Sequence, residues 1–380
     1  MNKKIGFLAA GLMTLSLMSC SGVNAKDVAQ EAARGATILS ENYEKVTSQI
    51  QMINQITVLV GEEDFVVPIT WESSQFTILE DKDLHVTYAT PINLPEVGAA
   101  DVEYTLTATA TYKGAKAQKV FTGKLSAATK VDKVTVAELK EMPVDANKEV
   151  IVEGIIRKSF GGSKSAVLTD DTGSILVYTT TAIDSYIPGR KVAIRGTRGS
   201  HGKWVLDSSD KSGNTYIKQT DDPSKNLEIS YPELIYTSME VLEICDKQAS
   251  LQSAISTTVD EVNKWVVDPT NDSFVNHSGE LLKMTCDIVK YDPGAYHVWE
   301  ACPVGQTKPY IQFYCDSSVG DNLNDIDNYL KDFENKKVEL GLFVYDFNSK
   351  RSTKKNSDNT ETVTFKNVFR VIPVSVTVVA

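Results

Sequence analysis

Basic side chains gather in two short stretches of this 380-residue chain, and neither stretch contains an acidic residue. The first lies between Gly189 and Leu206, with His201 among its cations, and the second ends before the next acid, Asp358. Dense positive charge of this kind attracts phosphates, sulfates and uronates. The cations are Arg190, Lys191, Arg195, Arg198 and Lys203 in the first stretch, and Lys350, Arg351, Lys354 and Lys355 in the second.

Aromatic residues near the first stretch offer a second way to hold such a ligand. Phe160, Tyr178 and Trp204 can stack on nucleic-acid bases or on sugar rings. We therefore predict a site for a polyanion, either an anionic glycan or a nucleic acid. The alternative is that hairpin tips are rich in lysine because water solvates them, with Trp204 in a core. The predicted ligand-binding residues are Arg190, Arg195, Arg198, Lys203, Trp204, Tyr178, Lys350, Arg351, Lys354 and Lys355.

The remaining polar motifs do not indicate catalysis. The run from Asp170 to Gly173, Asp-Asp-Thr-Gly, is compatible with a calcium site or a catalytic acid, but a turn explains it with fewer requirements. The four histidines are scattered, and neither a nucleophile elbow nor an H-E-x-x-H motif occurs. We therefore predict a protein that is not an enzyme and that needs no cofactor or metal.

Cysteine is distributed unevenly. After Cys20 the next cysteines are Cys245, Cys286, Cys302 and Cys315, and outside the cytoplasm these four permit disulfides with three connectivities. Cys302 and Cys315 flank a predicted hairpin and are the preferred pair. One bridge with two buried free thiols is an alternative, and the close ligand spacing of a zinc site is missing.

The first twenty residues have the layout of a secretory signal. Lys3 and Lys4 precede an apolar run from Ile5 to Leu17, which is too short for a permanent membrane span, and small residues then precede Cys20. This segment resembles the signal peptides of bacterial lipoproteins. The resemblance implies removal of residues 1–19 and thioether linkage of Cys20 to diacylglycerol, whose acyl chains, palmitate among them, anchor the protein to a membrane. An ordinary cleaved secretion signal is the alternative.

Bulk composition is typical of globular domains. An apolar share of 42% and a charged share of 23% leave room for two to four domains with hydrophobic cores. The net charge of -11 argues against a protein that binds nucleic acid over its whole surface, although it allows a local basic patch.

The first third of the mature chain is expected to be a tether followed by a sandwich. Residues 20–44 are mostly small and polar, which favours a tether, whereas residues 45–130 contain short β-branched runs parted by turns. The run from Ile69 to Ser74, with Leu106 to Thr109 and a strand around Phe121, resembles the atrophied immunoglobulin-like domains of bacterial surface proteins. The resemblance implies a spacer or adhesive module without catalytic residues. We expect Trp71 to be its core tryptophan.

The remaining two thirds contain an internal repeat. Thr135 with Glu138, and Thr258 with Glu261, have the capping-box spacing that begins a short helix. After each, three predicted strands, a helical segment and two strands follow, which is the order of a five-stranded OB barrel. We therefore predict OB barrels over residues 133–222 and 256–380, joined by a linker, residues 223–255, with a possible helix over 239–255.

The first repeat also carries a family resemblance. Gly154, the run from Leu168 to Ile175, and the run from Gly189 to Gly196 resemble OB-fold domains of secreted bacterial proteins. That resemblance implies ligand binding across strands two and three and the adjoining loops. In both repeats, the basic stretch is expected to form the loop between strands four and five.

These patterns predict a mainly β protein, with an immunoglobulin-like sandwich followed by two OB-fold barrels. We expect a lipid-anchored, extracytoplasmic protein at the cell surface or periplasmic face, acting as a non-catalytic binding or adhesion module. The alternatives are a structural partner in an envelope protein complex, and an accessory to, or divergent form of, an extracellular nuclease.

Overall fold

The computed structural model describes residues 23–160, 162–206, 216–218, 228–245, 254–265, 277, 280–291, 298–314, 323–355 and 361–379. Side chains are described for these residues except 201–206, 216–218, 228–230, 323–325, 348–355 and 361–367. The predicted mainly β fold is confirmed. The chain divides into two compact units, Met1–Ala128 and Thr129–Ala380. The signal-like segment and the lipidation residue Cys20 lie outside the described residues.

The described part of the first unit has one helix and eight strands. They are α1 (Ala25–Gly35), β1 (Lys45–Val46), β2 (Ile50–Ile53), β3 (Gln55–Val60), β4 (Glu63–Glu72), β5 (Phe76–Asp81), β6 (Val86–Pro91), β7 (Val102–Tyr112) and β8 (Ala115–Leu125).

Two sheets enclose the core of the first unit. One has the order β1-β8-β7-β4-β3 and the other β2-β6-β5, and their pairs are antiparallel apart from β1 with β8. Alternate residues of β7 are buried because successive side chains of a strand point to opposite faces. Gly114, with φ of +85°, allows the tight turn that joins β7 to β8. Trp71 lies in this core, as predicted, and its Nε1 donates to the Ile53 carbonyl at 2.7 Å.

The prediction of a tether over residues 20–44 was wrong from Ala25 onward. Small apolar residues at helical spacing, Val28, Ala29, Ala32 and Ala33, bury one face of α1 in the first core. Lys119 of β8 closes the end of the helix, since its Nζ donates to the carbonyls of residues 34 and 36 at 3.0 and 2.8 Å. A run of alanines therefore acts as a packing face here.

The second unit contains the repeat. Its elements among the described residues are β9 (Asp132–Val134), α2 (Val136–Glu141), β10 (Glu149–Phe160), β11 (Ser165–Asp170), β12 (Gly173–Tyr178), β13 (Arg190–Leu206), β14 (Tyr216–Lys218), β15 (Glu228–Ile244), β16 (Ile255–Ser256), α3 (Val259–Val262), β17 (Leu281–Tyr291), β18 (Val298–Cys302), β19 (Ile311–Phe313), α4 (Leu323–Leu330), a 3₁₀ turn (Lys331–Phe333), β20 (Lys337–Lys355) and β21 (Glu361–Val378).

Each repeat closes its strands into a ring. In the first barrel the order is β10-β11-β12-β15-β13, and β13 pairs back to β10. In the second barrel the order is β17-β18-β19-β21-β20, and β20 pairs back to β17. The third and fifth strands are parallel in both rings, and the other ring pairs are antiparallel. The predicted helix starts are confirmed, with a complete capping box at Thr135 and a side-chain cap from Thr258.

The predicted linker over residues 223–255 was wrong in its central part. Residues 228–244 form β15, which is the fifth strand of the first barrel and pairs with both β12 and β13. The possible helix over 239–255 is also wrong, since Met239 lies opposite Ile194 in the ladder. The first barrel therefore extends beyond residue 222, because its closing strand comes after a long connection.

The two barrels share an apolar interface. One cluster of buried side chains contains Phe160, Val167 and Leu176 of the first barrel and five residues of the second, one of which is Tyr314. Within this cluster the rings of Phe160 and Tyr345 meet edge to face, with their centres 5.8 Å apart. Tyr231 of β15 belongs to the core cluster of the second barrel. The two barrels are thus packed as one unit. The other second-barrel residues of the shared cluster are Leu281, Phe343, Tyr345 and Ile372.

Within the described residues, no helix has the length and apolar character needed to cross a membrane.

Candidate functional site

The two basic stretches lie on strands, so the prediction of loops was wrong. Past Thr197, β13 continues as a ribbon paired with β15 and, at its end, with β14. Past Phe343, β20 continues as a ribbon paired with β21. We call residues 198–206 with 228–234 the first ribbon, and residues 344–355 with 361–371 the second ribbon. Both repeats therefore extend strands four and five beyond the ring.

Arg190 does not lie at the surface as predicted. Only 1% of this residue is exposed, at the start of β13 where the strand enters the ring. A buried guanidinium cannot meet a polymer in solution, so the structure removes Arg190 from the polyanion site. Arg is rarely buried unless its charge has partners, and Arg190 has such contacts.

Arg195 is held by a neighbouring strand. Its Nε donates to Oε2 of Glu149 at 2.8 Å, and its Nη2 donates to the same oxygen. Hydrogen bonding from Arg195 is the main cause that lowers the pKa of Glu149. Both side chains are about one-third exposed. This cation is therefore already neutralised at short range.

Arg198 is half-buried and bonds to its neighbours in the chain. Its Nη1 donates to the Gly199 carbonyl and to Oγ of Ser200, the latter at 3.0 Å. Burial lowers the pKa of Arg198, and the nearby carboxylate of Glu233 opposes that shift. The first basic stretch therefore contributes to packing within the second unit more than to an open cationic surface.

The other predicted binding residues form two groups: some are packed within the protein, and the side chains of the rest lie outside the description. Tyr178 is half-buried at the end of β12. Lys203 and Trp204 lie on β13, where Trp204 is opposite Ile229 and Lys218, and their side chains are outside the description. Phe160, expected to stack on a ligand, packs edge to face against Tyr345 instead.

The second ribbon places its four cations in a regular ladder. Lys350 is opposite Lys366, Arg351 opposite Phe365, Lys354 opposite Thr362, and Lys355 opposite Glu361. Their positions are fixed by the backbone ladder, and their side chains lie outside the description. Between residues 347 and 367 the sequence holds these cations and Lys366 against two acids, Asp358 and Glu361. The second ribbon is therefore the more basic of the two.

The strand-two and strand-three face of the first barrel is covered. Val167 of β11 lies opposite Leu176 of β12, and both are buried in the interface with the second barrel. This is the face on which the sequence resemblance implied ligand binding. In this unit its apolar residues bind the second barrel.

Asp170 forms a turn, as predicted. Its Oδ1 accepts from the Thr172 amide, the Thr172 hydroxyl and the Gly173 amide at 2.8, 2.7 and 3.0 Å. Its Oδ2 accepts from the Val136 amide at 2.8 Å, at the start of α2. Both carboxylate oxygens therefore tie the turn to the helix, which gives the motif a structural task.

The structure describes three of the four cysteines that follow Cys20. Cys302 is a buried free thiol, as is Cys286, and Cys245 is a partly exposed one. Because Cys302 is a free thiol, the preferred bridge from Cys302 to Cys315 is not formed in this structure, and Cys315 itself lies outside the described residues. Among the residues that the structure describes, no group of three or more acidic, histidine or cysteine side chains could hold a metal ion.

Sequence reasoning missed a buried group of charges near the interface. Asp346 and Arg370 form a two-bond ion pair across β20 and β21, and the guanidinium lies 4.8 Å from the centre of the Tyr314 ring. Glu233 of β15 is only 6% exposed and interacts with Tyr345 of the second barrel. A signal was present, since each acid interrupts an apolar strand run.

Comparison with known proteins adds no assignment to these observations: no protein-family model matches the chain, and no curated protein matches its sequence.

Proposed function

We propose that this protein is a lipid-anchored, extracytoplasmic binding or adhesion module without catalytic activity. In this proposal Cys20 carries the lipid, an immunoglobulin-like sandwich forms the first unit, and two OB-fold barrels form the second. The ligand is a polyanion, an anionic glycan or a nucleic acid, bound through the second ribbon.

The pairing order supports the OB assignment. In both rings three successive antiparallel strands are closed by a fourth and a fifth, and this order is compatible with a five-stranded OB fold. The two sheets of the first unit, with Trp71 buried between them, are compatible with an immunoglobulin-like sandwich.

The observation that carries the ligand proposal is the difference between the two ribbons. Of the cations in the first basic stretch whose side chains the structure describes, Arg190, Arg195 and Arg198 are buried or bonded, and Lys191 is half-buried. The second ribbon has four cations within six positions, and a fifth lies opposite Lys350. Because protein–polyanion affinity comes mainly from cations that replace released counterions, the second ribbon is the better candidate.

Charge reversal in the second ribbon should weaken retention on a polyanion. We expect the K350E/K354E variant to elute from heparin and from DNA at lower salt. The slope of log affinity against log salt on DNA should fall by about 2, because each lost phosphate contact removes about one counterion. The measurement is binding at four salt concentrations with the chain from residue 20 onward and Cys20 replaced by serine.

Two variants serve as controls for this measurement. K116E/K124E, on exposed positions of β8, makes the same change in net charge in the first unit and should leave the slope unchanged. R195M removes a cation that Glu149 already holds and should also leave it unchanged. Equal slopes for K350E/K354E and wild type would reject the second ribbon as the site.

The covered face of the first barrel favours one alternative, a structural partner in an envelope complex. Val167 and Leu176 pack against the second barrel of the same chain, on the face where the OB resemblance implied a ligand surface. Salt-insensitive co-purification with one envelope protein, without retention on heparin or DNA, would support that role instead.

A further inference from the structure

A cleft on the first barrel contains no residue of the second ribbon. It has a volume of about 640 Å³, within the range of small-molecule sites. The cleft is lined by β10, the turn after β11, the start of β13 and the end of β15. The residues that matter for its chemistry are Gly154, Arg157, Asp171, Lys191, Glu243 and Cys245.

Two β-bulges border this cleft. Ile156 pairs with Leu168 and Lys158 pairs with Val167, so Arg157 is the extra residue of β10. Lys191 pairs with Glu243 and Val192 pairs with Val241, so Leu242 is the extra residue of β15. Bulges re-aim side chains and are over-represented beside functional sites. The first bulge places Arg157 in the cleft.

The close approach of β10 and β11 shapes the floor of the cleft. A Cβ on Gly154 would lie 2.7 Å from the Thr169 carbonyl oxygen and 3.0 Å from Cγ of Leu168. Only glycine permits this separation of β10 and β11 without a backbone shift. Glycine therefore keeps β10 and β11 closely paired beneath the cleft.

The charges in the cleft are of both signs. Arg157 is 7% exposed, and burial lowers the pKa of its guanidinium, while the nearby Cys245 opposes that shift. Lys191 and Glu243 stand opposite one another on neighbouring strands, and Asp171 is exposed on the turn. Of the other acids in the lining, Asp170 is bonded within its turn and Glu153 pairs with Lys133 at 2.5 Å.

Guanidinium and ammonium groups bind carboxylates, and the guanidinium fork favours two-bond contacts. The carboxylates of Glu243 and Asp171 in the same cleft attract a cationic group and repel a ligand with several negative charges. A ligand with one carboxylate and one ammonium group satisfies both sets.

We propose that this cleft binds a small zwitterion, an amino acid or short peptide, with its carboxylate at Arg157 and Lys191 and its ammonium group at Glu243 or Asp171. This site is separate from the second ribbon and does not depend on the proposed function.

Cys245 provides a reporter for occupancy. It is a free thiol that lines the cleft, whereas Cys286 and Cys302 are 0% and 1% exposed. Burial and the nearby Glu243 raise the pKa of Cys245, with Lys191 and Arg157 opposing the shift, so alkylation should be slow at neutral pH. Labelling at about pH 8.5, read at Cys245 by peptide mass spectrometry, gives a measurable rate.

The experiment uses the chain from residue 20 onward with Cys20 replaced by serine, and triglycine as the probe. Triglycine should slow labelling of Cys245 saturably, whereas N-acetyl-triglycine and triglycine amide, each missing one charge, should protect at least about tenfold less well. The K191M variant should need at least about tenfold more triglycine than wild type for the same protection of Cys245. K283M, which changes a lysine of the second barrel, should behave as wild type.

Three results would overturn the proposal. They are absence of protection by triglycine in wild type, equal protection by the two blocked peptides, and an unchanged requirement for triglycine in K191M. Lys191 is half-buried on the outside of the ring, and the melting temperature of K191M, measured beside wild type, reports whether the variant is folded. E243Q supplies a second variant. It should weaken the protection of Cys245 by triglycine more than the protection by N-acetyl-triglycine.

Discussion

Replacing Glu233 with glutamine should flatten the pH dependence of the second unit's stability. Burial raises the pKa of Glu233 from about 4.5 to about 7, and Arg198 opposes the shift. Because the folded state prefers the protonated carboxyl, the stabilisation from this group is complete below about pH 4.5. It is lost as the pH rises to about 7, with a total on the order of 3 kcal/mol.

Urea unfolding of the second unit at several pH values between about 4.5 and 8 measures this effect. The free energy of unfolding of E233Q minus that of wild type should increase with pH over this range. E141Q, which removes an exposed acid of the same unit, is the matched control and should track wild type. A constant difference between E233Q and wild type across the range would show that Glu233 ionises as it does in the unfolded chain.

Removing Arg370 should be among the most destabilising single changes in the second barrel. Asp346 is 3% exposed, and R370M would leave its carboxylate buried beside Tyr314 and Tyr345 without the guanidinium. Loss of one partner of a buried pair costs about 3–5 kcal/mol. The same substitution lowers the melting temperature measurably, since even 1 kcal/mol shifts it by a few degrees.

A double-mutant cycle separates the pair from the loss of packing. The D346N/R370M variant removes both charges and should recover a substantial part of the stability lost in R370M. K133M, which breaks the exposed pair with Glu153, should cost about 1 kcal/mol or less. Equal costs for R370M and K133M would mean that the Asp346–Arg370 pair is solvated in solution.

Much of the strand pattern could be predicted because local alternation encodes it. The β-branched run around Ile69 and the apolar strands after Thr135 were located within a few residues. The capped turn at Asp170 was also predictable, since an Asp and a Gly at fixed spacing form it by bonds within the motif. These features need no information from distant parts of the chain.

The features that were predicted wrongly all depend on contacts between residues that are far apart in the sequence. Gly199, Ser200 and Gly202 are typical of loops, but pairing with β15, some thirty residues later, extends β13 through them. Burial of Arg190 and the bulge at Arg157 likewise follow from how neighbouring strands meet. The polyanion site was predicted from basic residues on expected loops. In the folded chain, the arginines of the first basic stretch are instead used in contacts within the protein.

Helix α1 also limits how far the protein can stand from a bilayer. Only residues 21–24 separate Cys20 from the first helical residue, and five residue steps span at most roughly 18 Å. If lipid holds that thiol, the first unit rests close to the headgroups, with no stalk to lift it. Lengthening this short junction by insertion would then let the first unit stand farther from the membrane while leaving its fold intact.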